Sequence, residues 1–170
     1  MTVTMLFRYI ESPIGQLLLA GDERGLKYIG FPQGKGKLSP QETWQLDAEC
    51  FADAEMQLCE YFEGKRKRFD LKLAPTGTPF QLSVLQALQT IPAGETRSYL
   101  EIARQIGRPA AIRAVGAANG RNPLPIVIPC HRVIGSDGSL TGFGGGLKSK
   151  LFLLQLEGVK LKQTIQRDLF

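Results

Sequence analysis

The stretch that most constrains this chain is the apolar run Leu124-Pro125-Ile126-Val127-Ile128, which leads directly into Pro129-Cys130-His131-Arg132-Val133. So apolar a run has to leave water, and it carries a thiol and the chain's one histidine to the edge of the core. The run is short, rich in β-branched residues and preceded by a proline, which predicts a buried strand or extended segment. Neighbouring residues on a strand point to opposite faces. His131 can therefore help Cys130 only if the chain turns here, or through a water. Gly135 and Gly138 supply turn signals just downstream. A buried cysteine taken alone is more often inert packing than a nucleophile. A thiol becomes a nucleophile when its pKa falls from about 8.5 or a base comes within reach. A histidine used as that base needs an acceptor to orient it, and Glu157, near the end of an apolar helical stretch, is one candidate.

Composition narrows the setting. A length of 170 residues suits one domain, or two small ones sharing an interface, and 43% apolar residues suffice for a conventional core. No run approaches the roughly 18 apolar residues of a membrane helix, and the N-terminal residues do not pattern as a signal peptide. The expectation is a soluble cytoplasmic protein, nucleoid-associated in a prokaryote, with no membrane partner. Three cysteines without framework spacing argue for reduced thiols. One histidine and three scattered cysteines make no Cys/His zinc site, so neither metal nor cofactor is expected. The net charge of +5 points weakly to a polyanionic partner.

Along the chain, residues 4–10, 16–20 and 26–31 pattern as strands of a β-meander, separated by Ser12-Pro13-Ile14-Gly15 and the turn residues 21–25. A glycine- and lysine-rich loop spans 33–37. Phe51, Ala54, Leu58, Tyr61 and Phe62 recur at helical spacing, with Gly64 as the stop. The basic run 65–68 is expected to be a solvated turn into a strand over 69–73. Residues 74–77 make the best linker. Thr78, Pro79 and Gln81 then form a capping box with proline at the first helical position. A second box, Ser98 to Glu101, opens a short helix that Gly107 stops. Pro109 opens another from Ala110 to about Asn119, with Gly120 as its stop. Two short helices joined at Gly107-Arg108-Pro109 pattern as a helix-turn-helix.

The second of these helices carries Ala110, Ala111, Ala114, Gly116, Ala117 and Ala118, with Arg113 the long side chain among them. Major-groove readers present several hydrogen-bonding side chains, and this helix presents almost none. Small residues permit close approach in the minor groove, or close packing on another helix; the pattern alone leaves both open.

Pro129 to Val133, with Arg113-Ala114-Val115-Gly116 and Asn122-Pro123 upstream and Glu157-Gly158 downstream, resembles the O6-alkylguanine-DNA alkyltransferases in order and spacing from about Gly77 to Gly158. The resemblance implies an α+β protein: a small N-terminal β-meander plus helix domain (1–75) supporting a C-terminal helical domain (76–170) with a helix-turn-helix, winged-helix-like DNA-binding motif. It implies irreversible, stoichiometric transfer of an alkyl group from O6-alkylguanine, and from O4-alkylthymine, in flipped-out nucleotides. The partner is double-stranded DNA met through the minor groove without regard to sequence, and no obligate protein partner is implied.

By the same resemblance Cys130 is the acceptor, His131 its water-mediated base and Glu157 the carboxylate that orients His131. Asn122 braces the segment leading to the cysteine. Tyr99 supports flipping and donates to the guanine ring nitrogen, and Arg113 is the finger filling the vacated space; for Arg113 a plain phosphate contact is the alternative. Ala114, Gly116 and Ala117 belong to the DNA-facing helix surface. The backbone of Val133 meets the exocyclic amine, while Phe143, Gly144 and Gly145 wall the pocket. Phe143 stands where many members have tyrosine and Gly144 where some have serine, so hydroxyl donors are lost and backbone N–H groups must serve. Leu156 replaces a histidine with no expected effect. Two rival readings are a lesion-binding relative without chemistry, which Cys130 argues against, and a Cys-His thiol hydrolase or redox protein, which would need neither finger nor small-residue helix.

Overall fold

The computed structural model describes residues 3–31 and 37–161. The chain opens with β1 (Leu6–Ile10), β2 (Leu17–Asp22) and β3 (Gly25–Gly30), an antiparallel meander within about two residues of the predicted strands. Every residue of β2, an inner strand paired on both edges with β1 and β3, is buried. A two-residue strand, β4 (Gln45–Leu46), adds parallel to β1, giving the order β3-β2-β1-β4. It is too short and exposed to leave a pattern in the sequence. The loop predicted at 33–37 falls, apart from Lys37, outside the described residues.

Helix α1 (Ala52–Phe62) packs Ala54, Leu58 and Tyr61 onto the sheet and ends where Gly64 takes a left-handed φ of 76°. The strand expected over 69–73 does not form. One bridge, Leu26 to Leu73, is all the pairing there, flanked by Leu26 N–H to the Lys72 carbonyl (2.9 Å) and Ala74 N–H to the Leu26 carbonyl (2.8 Å). The Gln57 amide takes a strand neighbour's place, accepting from Asp70 N–H (2.8 Å) and donating to its carbonyl (2.9 Å). A buried glutamine has satisfied the backbone that a ladder would have satisfied.

Helix α2 (Pro79–Leu88) carries the full predicted capping box, Thr78 with Gln81. A two-residue strand, β5 (Arg97–Ser98), runs into α3 (Tyr99–Gln105), and here only the serine half of the predicted box forms, Ser98 accepting from Glu101 N–H. Gly107, at φ 76°, turns the chain out of α3. Helix α4 (Ile112–Gly120) begins two residues later than predicted: Pro109 and Ala110 lie in the turn closed by Ala111 N–H to the Arg108 carbonyl (2.9 Å), and no side chain caps the helix. Gly120 is its last residue rather than its stop. Helices α2, α3 and α4 pack on one another.

The apolar run is buried as required, with Leu124 and Ile128 fully so, but it is not a strand. It coils through turns, with Ile128 N–H bonded to the Leu124 carbonyl (2.8 Å) and Ile126 at a φ of 76° that β-branched residues rarely accept. Cys130–Arg132 form one 3-10 turn, after which β6 (Val133–Ile134) pairs parallel with β5. Helix α5 (Leu147–Leu156) closes the described fold. Sheet, α1 and the C-terminal helices share one hydrophobic core, running from Leu17 and Leu58 through Leu88 and Ile102 to Ile128. No helix among the described residues is long and apolar enough to cross a membrane.

Candidate active site

Asn122 begins the construction. Its Nδ2 donates to the Ile128 carbonyl (2.7 Å) and its Oδ1 accepts from Leu124 N–H (2.9 Å), so one side chain spans both ends of the coiled run. The strained run is held in place, and Cys130 follows two residues later at the start of the 3-10 turn. That turn supplies what a strand would not have: His131 can share a neighbourhood with Cys130 without facing away. Cys130 is nearly buried and lines a cavity of about 310 Å³ together with Asn122, Phe143 and Gly144.

His131 is fully buried. Its Nε2 lies 2.8 Å from Oε2 of Glu157, which follows directly on α5. Glu157 is held in turn by Arg132, whose Nε donates to Oε1 (2.8 Å) and Nη2 to Oε2 (2.9 Å), while Arg132 Nη1 donates to the Ile91 carbonyl (2.5 Å). Tyr61, from α1 in the N-terminal half, donates its hydroxyl to the same Oε2 (2.5 Å). Burial pushes the Glu157 carboxyl up, but the hydrogen bonds from His131 and Arg132 and the Arg132 charge outweigh it and leave the pKa at about 2. An ionised Glu157 accepts only, so the proton of neutral His131 sits on Nε2. The lone pair is then on Nδ1, which is buried and has no partner among the described residues. That nitrogen is the one free to receive a proton.

Burial raises the Cys130 thiol, opposed by the Asn122 side chain, the Lys150 charge and the N–H groups of the turn. Burial also lowers His131, against the pull of Glu157 and with the help of the Arg132 and Lys150 charges. Both shifts favour neutral thiol beside neutral imidazole at pH 7 over a resting thiolate–imidazolium pair. Iodoacetamide at pH 7 should accordingly modify Cys130 at least ~10-fold more slowly than the exposed Cys59, with the Cys130 rate climbing as pH rises. Peptide mapping against time reads both rates; a Cys130 that reacts first would mean a resting thiolate.

The remaining predicted residues divide. Val133 is fully buried, and its carbonyl accepts from Lys150 Nζ (2.7 Å), which also donates to the Thr141 carbonyl (2.7 Å). Gly145 does not line the cavity but lies against the Phe31 ring. Tyr99 is half-buried outside the cavity lining. Its hydroxyl pairs with Thr141 Oγ1 (2.5 Å), and its ring lies 3.8 Å from where a Cβ on Gly116 would stand. Arg113, Ala114 and Ala117 are exposed on one face of α4, away from the thiol pocket.

Sequence reasoning missed four side chains around this site. Lys150 ties the segment 133–141 to α5, with burial bringing its pKa to about 8 against the pull of Cys130. Arg132 was quoted in the motif without a role. Tyr61 and Phe31 come from the N-terminal half, and only a three-dimensional contact reveals them. For Lys150 a signal existed: a lysine on the apolar face of α5, beside Leu151 and Leu154, is unusual enough to question.

Two family models match the chain. One, described as 6-O-methylguanine DNA methyltransferase, ribonuclease-like domain, covers residues 5–75; the other, 6-O-methylguanine DNA methyltransferase, DNA binding domain, covers 79–159. The chain belongs to the 6-O-methylguanine DNA methyltransferase family.

A methylated-DNA–protein-cysteine methyltransferase of Methanosarcina acetivorans is 57% identical over 91% of this chain and 99% of its own length. Among solved structures, Mycobacterium tuberculosis OGT in complex with DNA superposes with a TM-score of 0.84 at 50% identity, covering 89% of this chain and 92% of that one. The O6-methylguanine methyltransferase of the same organism gives 0.84 at 48%, over 95% and 99%. In this member of the 6-O-methylguanine DNA methyltransferase family, Cys130, His131 and Glu157 fall in the DNA-binding match and Tyr61 in the ribonuclease-like one. The Tyr61–Glu157 hydrogen bond therefore joins the two matched regions.

Proposed function

We infer that this protein repairs DNA directly, moving the alkyl group of O6-alkylguanine in duplex DNA, and of O4-alkylthymine, onto Sγ of Cys130. The carrying observation is a cysteine at the wall of a base-sized cavity, next to a buried histidine whose protonation state Glu157 dictates. The target carbon lies inside the duplex, so the nucleotide has to be flipped out at a cost of about a few kcal/mol. The exposed small-residue face of α4 permits the backbone to approach the minor groove, with Ala114, Gly116 and Ala117 at the contact and Arg113 inserted where the base left.

With the base in the cavity, His131 Nδ1 takes the thiol proton, directly or through one water. Sulfur forms a bond to the alkyl carbon as the bond from that carbon to O6 breaks, and the electron pair passes into the guanine ring. Tyr99 donates to the ring nitrogen as charge arrives there, exchanging its present partner Thr141 for the base. Asn122 braces the cysteine segment. The Val133 carbonyl, which has a second lone pair beside its bond from Lys150, accepts from the exocyclic amine. Phe143 and Gly144 close the pocket around the alkyl group, with backbone N–H groups rather than hydroxyls facing O6. The product is a thioether with no leaving group worth the name, and each molecule acts once.

Residues 76–170 carry the chemistry and 1–75 support it. The reaction belongs in the cytoplasm, on the nucleoid in a prokaryote. Intact mass after incubation with a duplex carrying O6-methylguanine tests the function: one methyl per protein is expected, and an unchanged mass overturns it.

The finger has its own test. Arg113→Ala should slow repair of the duplex by ~10-fold or more while leaving reaction with free O6-benzylguanine base within about 2-fold, because a free base needs no flipping. Equal losses on both substrates would make Arg113 structural.

A further inference from the structure

We propose that Phe31, a side chain of the N-terminal sheet, sets the size of alkyl group that the Cys130 pocket accepts. The proposal rests on the alkyl-transfer reading and extends it to a residue outside the matched DNA-binding region.

Phe31 is nearly buried and lines the same cavity as Cys130, Phe143 and Gly144. A Cβ built on Gly145 would stand 2.8 Å from both Cε1 and Cζ of the Phe31 ring and 3.1 Å from Cε1 of Phe143. Both phenylalanine rings thus crowd the same side of the bare Gly145 backbone, and they meet edge to face at 5.6 Å and 68°. Phe31, Phe143 and Gly144 all wall the cavity, and the Phe31 ring braces both Phe143 and the Gly145 backbone.

The brace is itself anchored to the site. Ile29 N–H donates to the Pro123 carbonyl (2.8 Å), tying the end of β3 to the segment that Asn122 opens. Leu38 N–H donates to the Phe31 carbonyl (3.0 Å), and Phe31 bridges to Lys37 in parallel. Phe31 is therefore fixed with respect to Cys130, and the glycine-rich wall cannot retreat past it. Glycines at 144, 145 and 146 would otherwise make this the softest part of the pocket. A methyl group needs no retreat. A benzyl group does, and the ring of Phe31 occupies the space into which Phe143 and the Gly145 backbone would move. Without hydroxyls on Phe143 and Gly144, no hydrogen bond from those side chains opposes that movement, which leaves the packing of Phe31 to decide it.

Rates of transfer from duplexes carrying O6-methylguanine or O6-benzylguanine, followed by intact mass, test the proposal through their ratio. Phe31→Ala should raise the benzyl-to-methyl ratio by roughly 10-fold, a discrimination that apolar pockets commonly deliver, and Phe31→Leu should raise it less. Loosening the wall can slow both substrates, but only relief of crowding moves the ratio. Leu58→Ala removes fully buried N-terminal packing away from the cavity and should lower thermal stability without changing the ratio. A ratio unchanged in Phe31→Ala, or one that Leu58→Ala shifts equally, overturns the proposal. Should Phe31→Ala fail to fold, the ratio in Phe31→Leu decides in the same way. A wild-type protein that transfers neither group overturns the function itself, and that result is read before any variant is made.

Discussion

Replacing Cys130 by alanine should give a protein that folds, binds alkylated duplex DNA within about 3-fold of the wild-type affinity, and transfers nothing. Methyl transfer needs one atom that alanine lacks, the sulfur that forms the new bond. Tyr28 and Lys37 also line the cavity, but their oxygen and nitrogen are far poorer nucleophiles toward an alkyl carbon than sulfur, and neither lies on the turn that sets Cys130 beside His131. The loss should therefore be complete rather than partial. Binding survives because the expected DNA surface is the exposed face of α4, and Cys130 is nearly buried behind it. Stability should change by about 1 kcal/mol or less: a small side chain becomes slightly smaller. Intact mass and a gel-shift titration on the same preparation provide both readings. Methyl recovered on the peptide of Cys50 or Cys59 would place the chemistry elsewhere.

Glu157→Gln should slow transfer by about 10²- to 10⁴-fold, the range seen when the carboxylate partner of a catalytic histidine is neutralised. The amide can donate to His131, which allows the proton onto Nδ1 and removes the lone pair that has to receive the thiol proton. DNA affinity should stay within about 3-fold, because the Glu157 side chain is 2% exposed and reaches no surface. The same change also destabilises the fold, because Arg132, nearly buried, loses a bidentate partner; breaking such a pair costs about 3–5 kcal/mol. The pH dependence has a definite sign. The folded pKa of about 2 lies below the unfolded value, so the contribution of Glu157 is present above about pH 4.3 and is lost as pH falls toward 2. Acid-melting curves of the wild type should thus be steeper between those limits than those of Glu157→Gln. Single-turnover rates, gel shifts and melts together separate the roles. Equal falls in affinity and in rate would make Glu157 a structural residue only.

The residues that announced themselves in the sequence did so through local chemistry. Thr78, Pro79 and Gln81 make a capping box whose geometry depends on four consecutive residues, and it forms in full. The meander strands and α1 follow from periodicity, and so does the burial of 124–128. Where local signals had a tertiary competitor, they failed. Residues 69–73 lost their ladder to the side chain of Gln57, thirteen residues away from Asp70. The run 124–128 was predicted extended and is coiled, because Asn122 and an internal turn satisfy its backbone without a neighbouring strand.

Order along the chain alone brings certain residue types together: a thiol and a histidine at the end of a buried run, a helix bare of long side chains, and a glycine-rich segment beyond. Those are matters of hydrophobicity, propensity and order along the chain, and they are complete before folding. Tertiary structure alone decided what those groups can do. Glu157 lies 26 residues from His131 and Tyr61 lies 96 from Glu157, yet the three share one carboxylate oxygen. The protonation of His131, the height of the Cys130 pKa and the packing of Phe31 on Gly145 are all consequences of desolvation and contact. Both depend on what stands next to a group in space, and neither is written in its neighbours along the chain.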